Sequence, residues 1–354
     1  MQRVVRITSG FQQEAPLNLS SKDLISQLFE KGWPNPEKIN SDSREVALLL
    51  NEARNSFAKY LQVEPEEIHF LGEVNLGFHL GLTGLLNPGD NLIYSEIDKQ
   101  EIFAVADSHE KSGGKLQRIS VSNHGLINEF KSNVNDVICW QVVNGETGII
   151  QRDLLNNSRI FADCTSSGVD HLPTFKYQSA LFDSRSWQGP VGLGILIVKN
   201  DAIWRNPLPH NDHTKVPNSY SVPLVLASAL ALETYMAQQN RDFGYREVVL
   251  KALSSSNLDF YTPNSVKFLA RNLSLVFPDL EADRLVLLLQ DLGFAVDSGS
   301  ACRSADMVPS HVLSAMGAKV TGNIRITFHQ STTAGQVSDL ANALVSAVKT
   351  LRGI

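Results

Sequence analysis

The sequence predicts an α/β fold: a large domain with a mainly parallel seven-stranded sheet, then a smaller C-terminal α+β domain. Three observations carry the prediction. Short apolar runs at 68–71, 91–94, 116–119, 137–142, 160–162, 179–182 and 193–198 alternate with stretches of helical periodicity, the pattern of a sheet covered on both faces. A long apolar helix is expected from 222 to 238, bridging to a second unit. From residue 257 the order changes to strand, helix, strand, helix. The resulting division is an N-terminal segment 1–15, a large domain 16–235 and a small domain 236–354. A chain of 354 residues accommodates one large and one small unit.

The elements follow in order. Over 42–61, Val46, Leu49, Leu50, Ala53, Phe57 and Leu61 recur at helical spacing. Asn87-Pro88-Gly89-Asp90 is a turn before the second apolar run. In the small domain, 272–277 reads as a strand and 282–292 as an amphipathic helix stopped by Gly293. Residues 294–296 form a strand leading into a polar loop, 323–328 a strand ending before His329, and 335–351 the last helix.

Composition narrows the function classes. A chain 43% hydrophobic and 19% charged is an ordinary soluble one. The net charge is −6 and the 31 basic residues form no long run, so nucleic acid is not an expected partner. No apolar run approaches the roughly 20 residues of a membrane span, and residues 1–7 lack a signal peptide's apolar core. A cytoplasmic location is therefore expected, where thiols stay reduced. The three cysteines show no CxxC spacing, which argues against a disulfide framework or zinc site, and Cys139 and Cys164 read as buried structural residues. His210 and His213 lie in a Pro/Asn/Asp-rich loop with no visible third ligand, so no metal is expected.

The third cysteine is different. Ser298-Gly299-Ser300-Ala301-Cys302-Arg303-Ser304 places it in a small, polar loop, and Pro309-Ser310-His311 then opens a helix that Gly317 suits as a stop. Such a loop suits a thiol that moves toward a substrate, and it also suits an ordinary turn. Further along stands Asn323-Ile324-Arg325-Ile326-Thr327. Earlier come Asn144-Gly145-Glu146-Thr147-Gly148, Gly189-Pro190-Val191-Gly192 and Asn272-Leu273-Ser274-Leu275. In this order and at this spacing, the segments resemble the cysteine desulfurases, pyridoxal-phosphate (PLP) enzymes of fold type I in the class V aminotransferase group. The resemblance covers nearly the whole chain and implies a PLP-transferase-like fold.

The resemblance also implies roles. Cys302 matches the cysteine that accepts sulfur as a persulfide. Arg325 matches the arginine that clamps the substrate carboxylate, a task suited to a bidentate donor; a salt bridge at the domain seam is the competing reading. Asp163 matches the aspartate beside the pyridine nitrogen, though a carboxylate at a strand end equally suits a helix N-cap. Asn144 and Glu146 match the loop beneath the cofactor. Ser166 stands where a glutamine contacts the ring oxygen. Ser219 matches a phosphate-binding threonine borrowed across a homodimer interface. His311 recurs at the family's Pro-Ser-His helix start.

Other positions depart from the pattern. The Schiff-base lysine, three residues before Gly189-Pro190, is Ser186. A hydroxyl forms no imine and lacks an amine tunable toward neutral pKa. Lys99 replaces the stacking histidine, and Glu73-Val74-Asn75 replaces the Gly-Gly-Thr phosphate turn, leaving Asn75 as a side-chain donor. Asp183 replaces a phosphate-binding serine, and its charge repels a phosphate unless Arg185, two residues on, neutralises it. The segment 151–163 is also shorter than usual by roughly two helical turns.

The departures favour a degenerate desulfurase-like protein: one with no covalently bound cofactor, acting as a binding, regulatory or sulfur-relay partner. It would be a homodimer or would pair with an active paralogue, and a sulfur donor or acceptor protein would be its client. The alternative is an active PLP enzyme with a non-covalent cofactor or a relocated Schiff base on Lys99, with Cys302 accepting sulfur. Lys99 also reads simply as a solvated or ion-paired lysine beside Asp98 and Glu101. A conventional desulfurase would need its lysine elsewhere, and the nearest in sequence are Lys176 and Lys199.

Overall fold

Each of the seven apolar runs forms a strand; six are buried along most of their length between helices, and the edge strand at 115–119 is buried only at Ile119. The computed structural model describes residues 9–14, 16–30, 32–154, 158–209, 220–238, 244–263, 267–298 and 310–354. In the first part of the chain the order is β1 (Ser9–Gly10), α1 (Leu19–Leu28), α2 (Ser41–Leu61), β2 (Ile68–Leu71), α3 (Val74–Phe78), β3 (Asn91–Ser95), α4 (Gln100–Lys111) and β4 (Lys115–Ile119). There follow β5 (Val137–Gln141), β6 (Arg159–Asp163), β7 (Ser179–Asp183), β8 (Gly194–Val198) and α5 (Val222–Ala237). The rest comprises α6 (Tyr245–Ser255), β9 (Asn272–Val276), α7 (Ala282–Asp291), β10 (Phe294–Ala295), β11 (Asp297–Ser298), α8 (His311–Ala315), β12 (Asn323–Thr327) and α9 (Ala334–Arg352).

The large sheet has the order β2-β8-β7-β6-β5-β3-β4. It is parallel except for β8, which runs antiparallel to both β7 and β2. The link 184–193 is shorter than the dozen or so residues that a parallel crossover needs, so β8 must return beside β7 in the opposite sense. The predicted helix over 42–61 is α2, whose buried Val46, Leu50, Ala53, Phe57 and Leu61 pack with α5 and Trp187. Helix α5 is apolar nearly all round, as a helix covered by neighbours should be, and carries Pro223 in its first turn, where no N–H is needed.

Strands β11, β12 and β9 form a second, antiparallel sheet. The buried faces of α6, α7 and α9 cover it, with Val249, Leu285, Leu289, Leu340 and Leu344 in its core. Phe11 from the N-terminal segment is 1% exposed in that same core, and β1 pairs in parallel with β10. A further cluster joins the two sheets, with Ile93, Ile138 and Ile160 of the large one against Val276, Val312 and Met316.

The punctuation expected from sequence is present. Asp90 accepts from the Asn87 N–H at 2.7 Å and closes the turn. Gly293 and Gly317 have φ of 93° and 68° after their helices. The strand expected over 294–296 is β10, and helices α1 and α6 and the two-residue strands β1 and β11 add to the elements read from sequence.

Candidate functional site

The parallel strands direct their C-terminal ends to one edge of the large sheet, where α/β folds place ligands. Strands β3, β6 and β7 end there at Ser95, Asp163 and Asp183, and β2 ends beside the start of β8. Against this edge lies a cleft of about 320 Å³, roofed by small-domain residues. Thr165, Ser166, Asp183, Arg185 and Ser186 line it from below, and Arg271, Thr327 and His329 from above.

The chain's own ions are already paired along this edge. Asp163 is 1% exposed; its Oδ1 accepts from the Thr165 N–H at 2.9 Å and from the Thr165 hydroxyl at 2.5 Å. This is an Asx turn, and no helix starts there, so the N-cap reading gives way to a local turn. The Lys99 ammonium donates to the same Thr165 hydroxyl and stands 3.7 Å from Asp163 Oδ2. Its ionic partner is therefore Asp163, 64 residues downstream, rather than the neighbouring Asp98 or Glu101. The Nζ also lies 5.3 Å from the Phe78 ring centroid.

Asp183 is buried at the end of β7 and accepts from Arg185 three times: the N–H at 2.9 Å, Nε at 2.9 Å and Nη2 at 2.6 Å. The neutralisation expected of Arg185 is thus present as a two-pronged pair. Glu14 lies 3.6 Å from Arg185 Nη1, and the charge of Glu73 also acts on it. Glu73 caps α3 by accepting from the Asn75 N–H at 3.0 Å. Asn75 itself is exposed and lines a different groove, between α3 and α4. The structure therefore does not bring Asn75 into the cleft.

Ser186 donates its hydroxyl to the Asp183 carbonyl at 2.7 Å, a turn contact that points it back into its own loop. Gly168, with φ of 53°, packs so close that a Cβ there would collide with the Ser186 hydroxyl. Arg271, which the sequence reading did not single out, spans the cleft. Its Nη1 donates to the Ser186 carbonyl at 2.5 Å, its Nη2 donates to the Ser166 carbonyl at 2.6 Å, and Asp170 stands 3.0 Å from Nη1. The Ser166 hydroxyl oxygen is buried with no hydrogen-bond partner.

The Asn144 side chain is consumed within its loop. Its amide donates to Gln141 Oε1 at 2.9 Å, and its oxygen accepts from the Thr147 N–H at 3.0 Å. Arg325 lies opposite Asp297 in the small sheet and is not among the cleft's lining residues. Its Nε is buried without a hydrogen-bond partner, and its charge acts on Asp297 and on buried Glu146. Burial raises both acids, and Arg325 opposes the rise. Cys139 and Cys164 are buried, and burial pushes both thiols well up, the inert behaviour expected of them. Cys302, Ser219, His210 and His213 lie outside the described residues.

Lys176 and Lys199 are at the other edge of the sheet. Lys199 follows antiparallel β8, pairs with Glu67 at 2.5 Å and donates its N–H to the Gln178 carbonyl, next to the start of β7. Lys176 shares a surface groove with it.

The comparisons agree with this architecture. Cysteine desulfurase IscS of Dictyoglomus turgidum is 23% identical over 371 residues, covering 96% of this chain and 93% of that protein. A solved NifS-like protein superposes with a TM-score of 0.85 at 19% identity, over 97% of this chain and all of the other. The NifS-like protein of Rickettsia africae gives a TM-score of 0.80 at 18% identity, over 98% and 100%. Along nearly its whole length the chain is similar to the cysteine desulfurases. No family model matches it. The family is a PLP-dependent one within the class V aminotransferase group. Among the described residues of this desulfurase-like chain, no helix is long and apolar enough to cross a membrane.

Proposed function

We propose that this desulfurase-like chain does not carry out PLP Schiff-base chemistry and acts as a binding or regulatory partner, with sulfur relay through Cys302 as its one retained chemical capacity. The observation that carries the reading is the Ser186 hydroxyl spent on the Asp183 carbonyl, at the position that the sequence resemblance assigns to the family's lysine. The surrounding residues do not fit the cofactor. A phosphate at the β7 end would meet the buried Asp183 carboxylate, and the arginine there, Arg185, is already engaged by Asp183 and Glu14. The carboxylate of Asp163 already has a cation in Lys99. An amine on Lys99 serving instead as the Schiff base would have to leave both Thr165 and Asp163.

Family resemblance supports pairing with a second subunit, either another copy or an active paralogue to which Ser219 contributes. Expected outcome: incubation with L-cysteine, PLP and a thiol reductant releases no alanine above a protein-free control. Alanine formed in proportion to this protein, and abolished by substituting Cys302, would overturn the reading.

A further inference from the structure

Lys99 breaks a local rule. It is the N-cap of α4, makes no capping hydrogen bond with its side chain, and puts a cation at the positive end of a helix. Something nearby must offset that cost. Two carboxylates lie there, Asp98 and Asp163, each 1% exposed. Asp163 faces Lys99, while Asp98 Oδ2 accepts from the Ser95 N–H at 2.7 Å. Burial first, and then the charge of Asp163, raise the Asp98 carboxyl to about 8, with Lys99 and Arg118 opposing the rise. The other titratable groups coupled to this pair include Arg118, Tyr94 and the buried Cys139 and Cys164 thiols. His311 touches the Asp98 backbone carbonyl at 2.9 Å.

We propose that Lys99 is the charge-balancing residue of the strand-end site: its ammonium, seated on Thr165 and Asp163, makes the site electrically complete with no ligand bound. This deepens the proposed function by naming what stands where a bound cation would otherwise be required. The ligand class that could replace Lys99 is a small alkylammonium cation, which matches the ammonium now seated on Thr165 and Asp163. Lys99 is a positioning residue, not a catalytic one.

The test is a double-mutant cycle of Lys99→Met and Asp163→Asn, followed by urea unfolding. The Lys99 side chain is 28% exposed, which moderates the cost of stranding the acid. Lys99→Met should lower the folding equilibrium constant about tenfold to a hundredfold, and the double variant should recover most of that loss. Ethylammonium chloride should stabilise Lys99→Ala over an equal concentration of sodium chloride and leave the parent unchanged. Additive effects in the cycle, or a double variant as unstable as Lys99→Met, would overturn the proposal, as would equal effects of ethylammonium and sodium. A parent chain that formed a PLP imine would overturn the proposed function instead, while the coupling between Lys99 and Asp163 is read without cofactor.

Discussion

Arg271→Ala should cost about 3 kcal/mol of stability in urea unfolding, among the larger losses expected of any single substitution outside the cores. The side chains of Arg271 and Asp170 are 16% and 14% exposed, so both charges are largely out of water. Truncation takes the guanidinium away from Asp170, whose two oxygens also accept from the Tyr235 hydroxyl at 2.9 Å and 2.7 Å. It also removes the donors to the Ser166 and Ser186 carbonyls. Breaking a buried pair from one side is costly because the stranded charge stays buried. Arg271→Lys should recover only part of the loss, since an ammonium keeps the charge but lacks the planar fork that reaches two carbonyls together. A loss under about 1 kcal/mol for Arg271→Ala, the range of exposed pairs, would mean that this arginine does not tie the domains together.

The second large effect is on pH dependence. The folded-state carboxyl of Asp98 is raised from 3.8 to about 8, chiefly by burial. A raised acid binds its proton more tightly folded than unfolded, so it favours folding at low pH. That advantage is lost as pH rises from the unfolded pKa toward the folded one. Asp98→Asn keeps an acceptor for the Ser95 N–H and removes the titration. The stability of the parent minus that of Asp98→Asn should therefore fall with pH by about 1.4 kcal/mol per unit between about pH 4 and 8, then level off. A difference independent of pH across that window would mean that Asp98 ionises normally in the fold.

Much of the fold is legible in the sequence because its signals are local. Seven apolar runs bounded by turn residues became the seven strands, and Gly293 and Gly317 marked helix ends because their positive φ suits glycine. The antiparallel sense of β8 was also within reach, since the link from β7 is too short for a crossover. The site was legible only in part. Asp183 and Arg185 are two residues apart, and their pairing could be read directly. Lys99 and Asp163 meet only because β3 and β6 flank β5 in the sheet, a tertiary fact with no local signature. The one available hint was a lysine at a helix start, where a small polar residue is usual. Arg271 gave no hint at all, since an arginine just before a strand is unremarkable until the strand is docked over the cleft.

The central claim is that the strand-end site forms no imine with PLP, and the absorbance spectrum of the purified protein titrated with PLP tests it most directly. The expected spectrum is that of free PLP plus protein, with no internal-aldimine band and no added mass after borohydride reduction. An aldimine band that collapses on borohydride, with the label mapped to Lys99 or any other lysine at the strand-end edge, would contradict the account.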